Sequence, residues 1–280
     1  MPASGGVAPG GVALTRDYLR VSDDLTIYYE EAGKGAPIVF IPGWTMTTWF
    51  FQHQLAHFAK SHRAITYDPR GQGRSSRTIE NNHYTQHGRD LNDFLKALGL
   101  ENVILAGWSW GCLDAYAYLR QFGTDNIKAL IFIDQTPKAL YGEEGDWWEG
   151  KPADWKAFVE GVNYDRRGFL DEFTKWMVIR ELTAEELATI MDESLKAPTS
   201  TAIQLLADGV FADYSEEAKA LDGKVPVMNV VREEWADMAK AWLAANAPHS
   251  AVYADAGHMM FWERPDAFNA ALDDFLSALK

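Results

Sequence analysis

Short unbroken apolar runs alternate with amphipathic stretches along most of this chain. The runs at 37–41 (PIVFI), 63–67, 102–106, 127–133 (IKALIFI) and 225–231 (VPVMNVV) have the length and β-branched content of strands buried on both faces. The stretches at 52–60, 88–98, 112–122, 235–245 and 265–279 carry helical spacing instead. Segments 15–21 and 25–30, turning at Asp23-Asp24, read as an opening hairpin, and 250–253 as the last strand. The alternation predicts an α/β fold with a mostly parallel sheet of about eight strands and helices on both faces.

The rhythm breaks between Pro137 and Gly223, where no convincing strand occurs and several helices do; Thr183 is an N-cap before Ala184-Glu185-Glu186-Leu187. An ordinary connection in a compact domain is far shorter. A helical insertion above the carboxyl ends of parallel strands reads as a cap over a site. The expected organisation is therefore a core in 1–136, a helical cap in 137–223, and the rest of the core in 224–280. Residues 1–13, rich in Gly, Ala and Pro and without a basic or apolar leader pattern, read as a flexible arm.

Composition and charge change this picture in several places. The formal net charge of -14 disfavours nucleic acid and anionic membranes, because both need a basic face. No run of about 18 apolar residues is present to span a bilayer. The single cysteine, Cys112, excludes an intramolecular disulfide and fits a reducing, cytoplasmic setting. Eleven tryptophans are an unusual number, and many fall in or near the cap, which points to an aromatic-lined pocket. No Walker loop or dinucleotide fingerprint is present, so no cofactor is expected. The oligomeric state is left open, with a dimer as one option.

The chemistry concentrates at Gly107-Trp108-Ser109-Trp110-Gly111, a G-x-S-x-G directly after a strand and directly before a helix. That context puts a serine on a strained turn at the sheet's carboxyl edge, with a helix N-terminus aimed at any developing negative charge. A serine hydroxyl needs an adjacent base. His258, after the last strand and next to Gly257, is in the place for one. The pairs His53/His57 and His83/His87 share helix faces at i, i+4 but have no obvious further ligands, so they read as surface or packing residues and no metal is expected. Cys112, just past the turn, reads as a buried helix residue rather than a rival nucleophile.

These features resemble the α/β-hydrolase fold over nearly the whole chain. Pro42-Gly43-Trp44 resembles the family's oxyanion loop, with Pro42 where His is usual. Asp68-Pro69-Arg70-Gly71-Gln72-Gly73-Arg74-Ser75 resembles its D-x-R-G-x-G-x-S loop, and Ala256-Gly257-His258 the loop of its catalytic His. The ending Gly257-His258-Met259-Met260-Phe261-Trp262-Glu263 is most similar to small bacterial esterases and non-haem haloperoxidase-like members. The resemblance implies Ser109 as nucleophile, His258 as base, and backbone N–H groups of Trp44 and Trp110 as the oxyanion hole.

The triad acid stays open. The family's usual place, after 225–231, reads Arg232-Glu233-Glu234-Trp235, with Trp235 near where Asp is expected; Glu234 or Glu233 could serve. Asp134, at the end of 127–133, is the other option. Trp108, Trp148, Trp176 and Trp262 are expected to line the pocket, and the substrate to be a small, uncharged, apolar ester or lactone. Four rival readings share the fold: a cofactor-independent dioxygenase, a carbon–carbon bond hydrolase, a perhydrolase or haloperoxidase-like side activity, and a non-catalytic binder. The dioxygenases resembled here tend to carry His beside the elbow serine, where this chain has Trp on both sides.

Overall fold

In strand β4 (Pro37–Ile41), Ile38 and Phe40 point into one apolar core while Val39 and Ile41 point into another. Strand β6 (Val103–Trp108) divides the same way, with Ile104 and Ala106 on one side and Val103 and Leu105 on the other. Side chains alternate along a strand, so a run that is apolar throughout must be covered on both faces. The computed structural model, which describes residues 4–255 and 257–279, shows how that covering is done.

A nine-stranded sheet forms the centre. Besides β4 and β6 it contains β1 (Ser4–Ala8), β2 (Val12–Arg20), β3 (Thr26–Ala32), β5 (Arg63–Tyr67), β7 (Ile127–Ile133), β8 (Val227–Arg232) and β9 (Ala251–Asp255). The order is β1-β2-β3-β5-β4-β6-β7-β8-β9. β1, β2, β3 and β5 pair antiparallel, and everything from β5 onward is parallel.

One core includes side chains of α1 (Gln52–Phe58) and the carboxyl-terminal helices α10 (Met260–Glu263) and α11 (Pro265–Ser277). The other includes those of α2 (Tyr84–Ala97), α3 (Gly111–Phe122) and α9 (Ala236–Asn246). Between β7 and β8 come α4 (Pro152–Tyr164), α5 (Arg166–Trp176), α6 (Ala184–Leu195), α7 (Thr199–Val210) and α8 (Ser215–Ala220). Among the described residues this segment adds no strand to the sheet, only the isolated bridges Lys138–Asp213 and Leu140–Gly150. No described helix is long and apolar enough to cross a membrane.

The amino terminus differs from its expectation as a flexible arm. Ser4–Ala8 forms β1, paired with β2 from Ser4 opposite Arg16 to Ala8 opposite Val12. The reversal uses Gly10 and Gly11 at φ 74° and 80°, in the left-handed region open to glycine. Ala8 and Leu14 bury in the core. This edge strand accounts for the ninth member of the sheet.

Candidate active site

Ser109 occupies a turn between β6 and α3 at φ 52°, a left-handed conformation that costs a non-glycine residue about 1–3 kcal/mol. Local sequence makes the turn feasible. A Cβ on Gly107 would lie 2.8 Å from the Cys112 backbone, and one on Gly111 2.4 Å from the Ile41 carbonyl oxygen. Gly43 gives room on the other side, since a Cβ there would sit 3.0 Å from Ser109 Cβ. Ser109 N–H donates to the Ile133 carbonyl at 2.7 Å, fixing the turn to β7.

Asp134 follows β7 directly and also has a left-handed backbone, at φ 51°. Its carboxylate is fully buried. Oδ2 lies 2.5 Å from Nδ1 of His258, and Oδ1 accepts the Arg232 backbone N–H at 2.8 Å. Glu233 and Glu234 stand in the short turn after β8 and are exposed to solvent. The carboxylate that meets His258 is thus Asp134, and Glu234 is corrected as an alternative. The short turn after β8 carries the glutamates outward, and the charged side chain left beside Asp134 is that of Arg232, at the end of β8.

His258 is 5 % exposed. Its ring lies between Trp108 and Trp176, with centroids at 5.5 and 5.1 Å, and Trp108 Nε1 donates to the His258 carbonyl at 2.9 Å. Burial among these rings lowers the imidazole pKa from 6.5, outweighing the Asp134 carboxylate, which raises it; the Arg232 charge lowers it further. Ala256, the first residue of the predicted His loop, lies outside the described residues.

The backbone N–H groups of Trp44 and Trp110 donate to no acceptor in the protein among the described residues. Two such donors flanking a serine, at the N-terminus of α3, are suited to an oxyanion. Pro42 in place of His leaves both untouched, because the donors are backbone groups. The D-x-R-G-x-G-x-S segment supports this loop from below. Asp68 accepts the Thr48 and Arg74 backbone N–H groups, each at 2.7 Å, and Arg70 pairs with Asp90 at 2.6 Å and Asp24 at 2.5 Å.

The helices between β7 and β8 dock firmly over the site. Trp44 Nε1 donates to the Ala202 carbonyl at 2.9 Å, Thr45 and Ser194 share a hydrogen bond of 2.7 Å, and Thr47 donates to Glu193 at 2.5 Å. Beneath them is a cavity of about 260 Å³ that reaches Ser109 and His258. Its walls are Trp44, Trp110, Trp155, Phe158, Phe173, Trp176, Leu206 and Trp235, with Glu149, Asp154 and Arg232 as the charged members.

Of the four expected pocket tryptophans, only Trp176 lines this cavity. Trp108 is buried behind His258, Trp148 packs edge to face against Tyr141 with centroids 5.0 Å apart, and Trp262 lies against Trp49 at 6.0 Å. Cys112 is fully buried, donates to the Gly107 carbonyl at 2.9 Å, and has its thiol pKa pushed well up by burial. His87 pairs with Asp114 inside the core at 2.9 Å, and His57 with Asp273 near the surface at 2.7 Å.

Two charged residues were missed from sequence. Glu149 accepts from the Gln135 amide and, at 3.4 Å, from Trp110 Nε1, and burial raises its carboxyl pKa to about 7. Arg232 is nearly fully buried with its guanidinium over the rings of Trp176 and Trp235. Its position at the end of β8 was a usable signal, since ligands approach such sheets at the carboxyl ends of strands.

With this geometry in view, comparison with known proteins is decisive for the family. A model of the alpha/beta hydrolase fold family matches residues 36–265. The chain belongs to that family. The AB hydrolase superfamily protein YisY of Bacillus subtilis is 25% identical over 262 residues, covering 92% of this chain and 98% of its own. A putative non-heme chloroperoxidase of Synechocystis is 25% identical, over 91% of this chain and 96% of its own. The crystal structure of a bromoperoxidase from Bacillus anthracis superposes with a TM-score of 0.86 at 26% identity, covering 94% and 99% of the two chains.

Proposed function

We propose that this alpha/beta hydrolase is a serine hydrolase that cleaves a carboxylic ester or lactone with an apolar or aromatic portion. The observation that carries the reading is the hydrogen bond between buried Asp134 and His258, a histidine that lines the same cavity as a serine held in a left-handed turn. In this reading Ser109 Oγ attacks the carbonyl carbon while His258 Nε2 takes the hydroxyl proton. Negative charge on the carbonyl oxygen is met by the N–H groups of Trp44 and Trp110. Collapse of the tetrahedral species expels the alkoxide, which receives the proton from His258, and leaves an acyl group on Ser109. Water, deprotonated by His258, then releases the acid. Asp134 keeps Nδ1 protonated and stabilises the imidazolium. The cap supplies aromatic walls and keeps water from the charged intermediates.

Rapid mixing with 4-nitrophenyl butyrate tests this: a burst of one nitrophenolate per protein and a butyryl adduct on Ser109 are expected. Turnover without an adduct on Ser109 would count against it. The names of the peroxidase relatives favour a second reading of the same site, in which hydrogen peroxide replaces water and releases a peracid. Adding peroxide during ester turnover separates the two by product.

The pH dependence follows from His258. Only the neutral imidazole can accept the serine proton, and burial holds its pKa below 6.5. The rate constant kcat/KM should stay high as pH falls through neutrality and drop only through a midpoint below 6.5. A midpoint above that value would mean that the Asp134 carboxylate, which raises the pKa, outweighs burial.

A further inference from the structure

Within the aromatic cavity one side chain is out of keeping with an apolar substrate. Arg232 is 6 % exposed, so it is nine-tenths withdrawn from solvent, and it is the single cation among the described lining residues. Its guanidinium is held over Trp235 at 3.7 Å and over Trp176 at 4.5 Å from the ring centroids. These contacts fix the plane of the group and leave its edge free. One edge atom, Nε, is 3.3 Å from Asp134 Oδ2. No other acceptor or acid among the described residues is within hydrogen-bond or ion-pair distance of this guanidinium.

Burying a cation is costly unless its donors are used. If Arg232 served only to balance Asp134, an Nε contact on one oxygen would leave most of its donors unpaired beside an open cavity. A planar fork of donors, preset by two indoles, is the arrangement that receives a carboxylate in two parallel hydrogen bonds. We infer that Arg232 is the anchor for an acid group on the substrate, so that the ester or lactone taken at Ser109 carries a carboxylate of its own. This replaces the uncharged substrate expected from composition, where the overall charge of -14 says nothing about one buried arginine.

The other charges in the cavity permit an anion. Asp134 is already engaged by His258 and by the Arg232 backbone. Glu149, also in the cavity wall, accepts from Trp110 and Gln135, and burial raises its carboxyl pKa to about 7, which reduces its charge at neutral pH. Asp154 is on an exposed part of the rim. The apolar part of the substrate then lies along Phe158, Phe173 and Trp155.

The word ester in this inference rests on the proposed hydrolase activity; the binding of a carboxylate does not. The test therefore uses binding to Ser109→Ala, followed by tryptophan fluorescence, because Trp176 and Trp235 flank the anchor. The probes are 3-phenylpropanoate and its uncharged relatives methyl 3-phenylpropanoate and 3-phenylpropanamide. The acid is expected to bind at least about tenfold more tightly than either neutral probe. Adding Arg232→Gln should abolish that preference and leave the neutral probes little changed. Should that variant fail to fold, Arg232→Lys is the second: a point charge without the planar fork should lose most of the acid's preference and leave the neutral probes little changed. Equal affinity for acid and ester, no binding of the acid at millimolar concentration, or a preference that survives Arg232→Gln overturns the inference. If the acid preference stands while Ser109 proves unreactive, the anchor is upheld and the hydrolase reading falls. If Ser109 is reactive and the preference is absent, the reverse holds.

Discussion

Asp134→Asn lowers kcat on an activated ester by about four orders of magnitude, with the circular dichroism spectrum and thermal midpoint close to wild type. The asparagine fits the same space, and its carbonyl can still accept the Arg232 backbone N–H that Oδ1 accepts at 2.8 Å. What is lost is the anion. An amide facing Nδ1 can hold the ring in the wrong tautomer, and it cannot balance the imidazolium that forms when His258 takes the serine proton. The contrast is Glu234→Gln. That side chain is exposed in the turn after β8, away from His258, so kcat should stay within about twofold of wild type, as for most surface substitutions. Steady-state rates of the two variants side by side decide the identity of the acid. A mild loss in Asp134→Asn with a large loss in Glu234→Gln would reverse the assignment.

Ser109→Ala removes the nucleophile and should cost about six orders of magnitude in kcat, the size of loss found when a triad serine is deleted. The residue left behind keeps the two backbone donors of Trp44 and Trp110, so a small rate above that of water should persist. Affinity for a non-hydrolysed ligand should be unchanged within a few fold, since the aromatic walls are untouched. A loss of binding as large as the loss of rate would mean that the substitution had collapsed the turn rather than removed a reacting atom. Single-turnover kinetics against equilibrium binding separate these outcomes.

What could be read in the sequence follows from where the signal resides. The elbow serine is legible because everything it needs is contiguous: a strand, two glycines that allow close backbone approach, and a helix start. His258 is legible from its place after the last strand. The acid was not, because two strand ends offer carboxylates and only the packed structure says which faces the imidazole. Asp134 does so because β7 ends one residue before it, in a left-handed turn beneath His258.

Pocket tryptophans were poorly legible for the same reason. Trp108 and Trp110 flank Ser109 symmetrically in sequence, yet the first packs behind His258 and the second lines the cavity. Trp148 and Trp262 are near the site along the chain but turn against Tyr141 and Trp49. Glu149 and Arg232 were missed because a charged residue in a loop or at a strand end looks solvated until its neighbours are known. β1 was missed because Ser4-Gly5-Gly6-Val7-Ala8 pairs through its backbone and carries almost no side-chain pattern.

The central claim is that Ser109 is an activated nucleophile. A fluorophosphonate probe, applied to wild type and Ser109→Ala and mapped by mass spectrometry, tests it most directly. The account predicts a single adduct on Ser109 in wild type and none in the variant. Folded wild-type protein that takes no adduct, or takes one elsewhere that persists in Ser109→Ala, would contradict it.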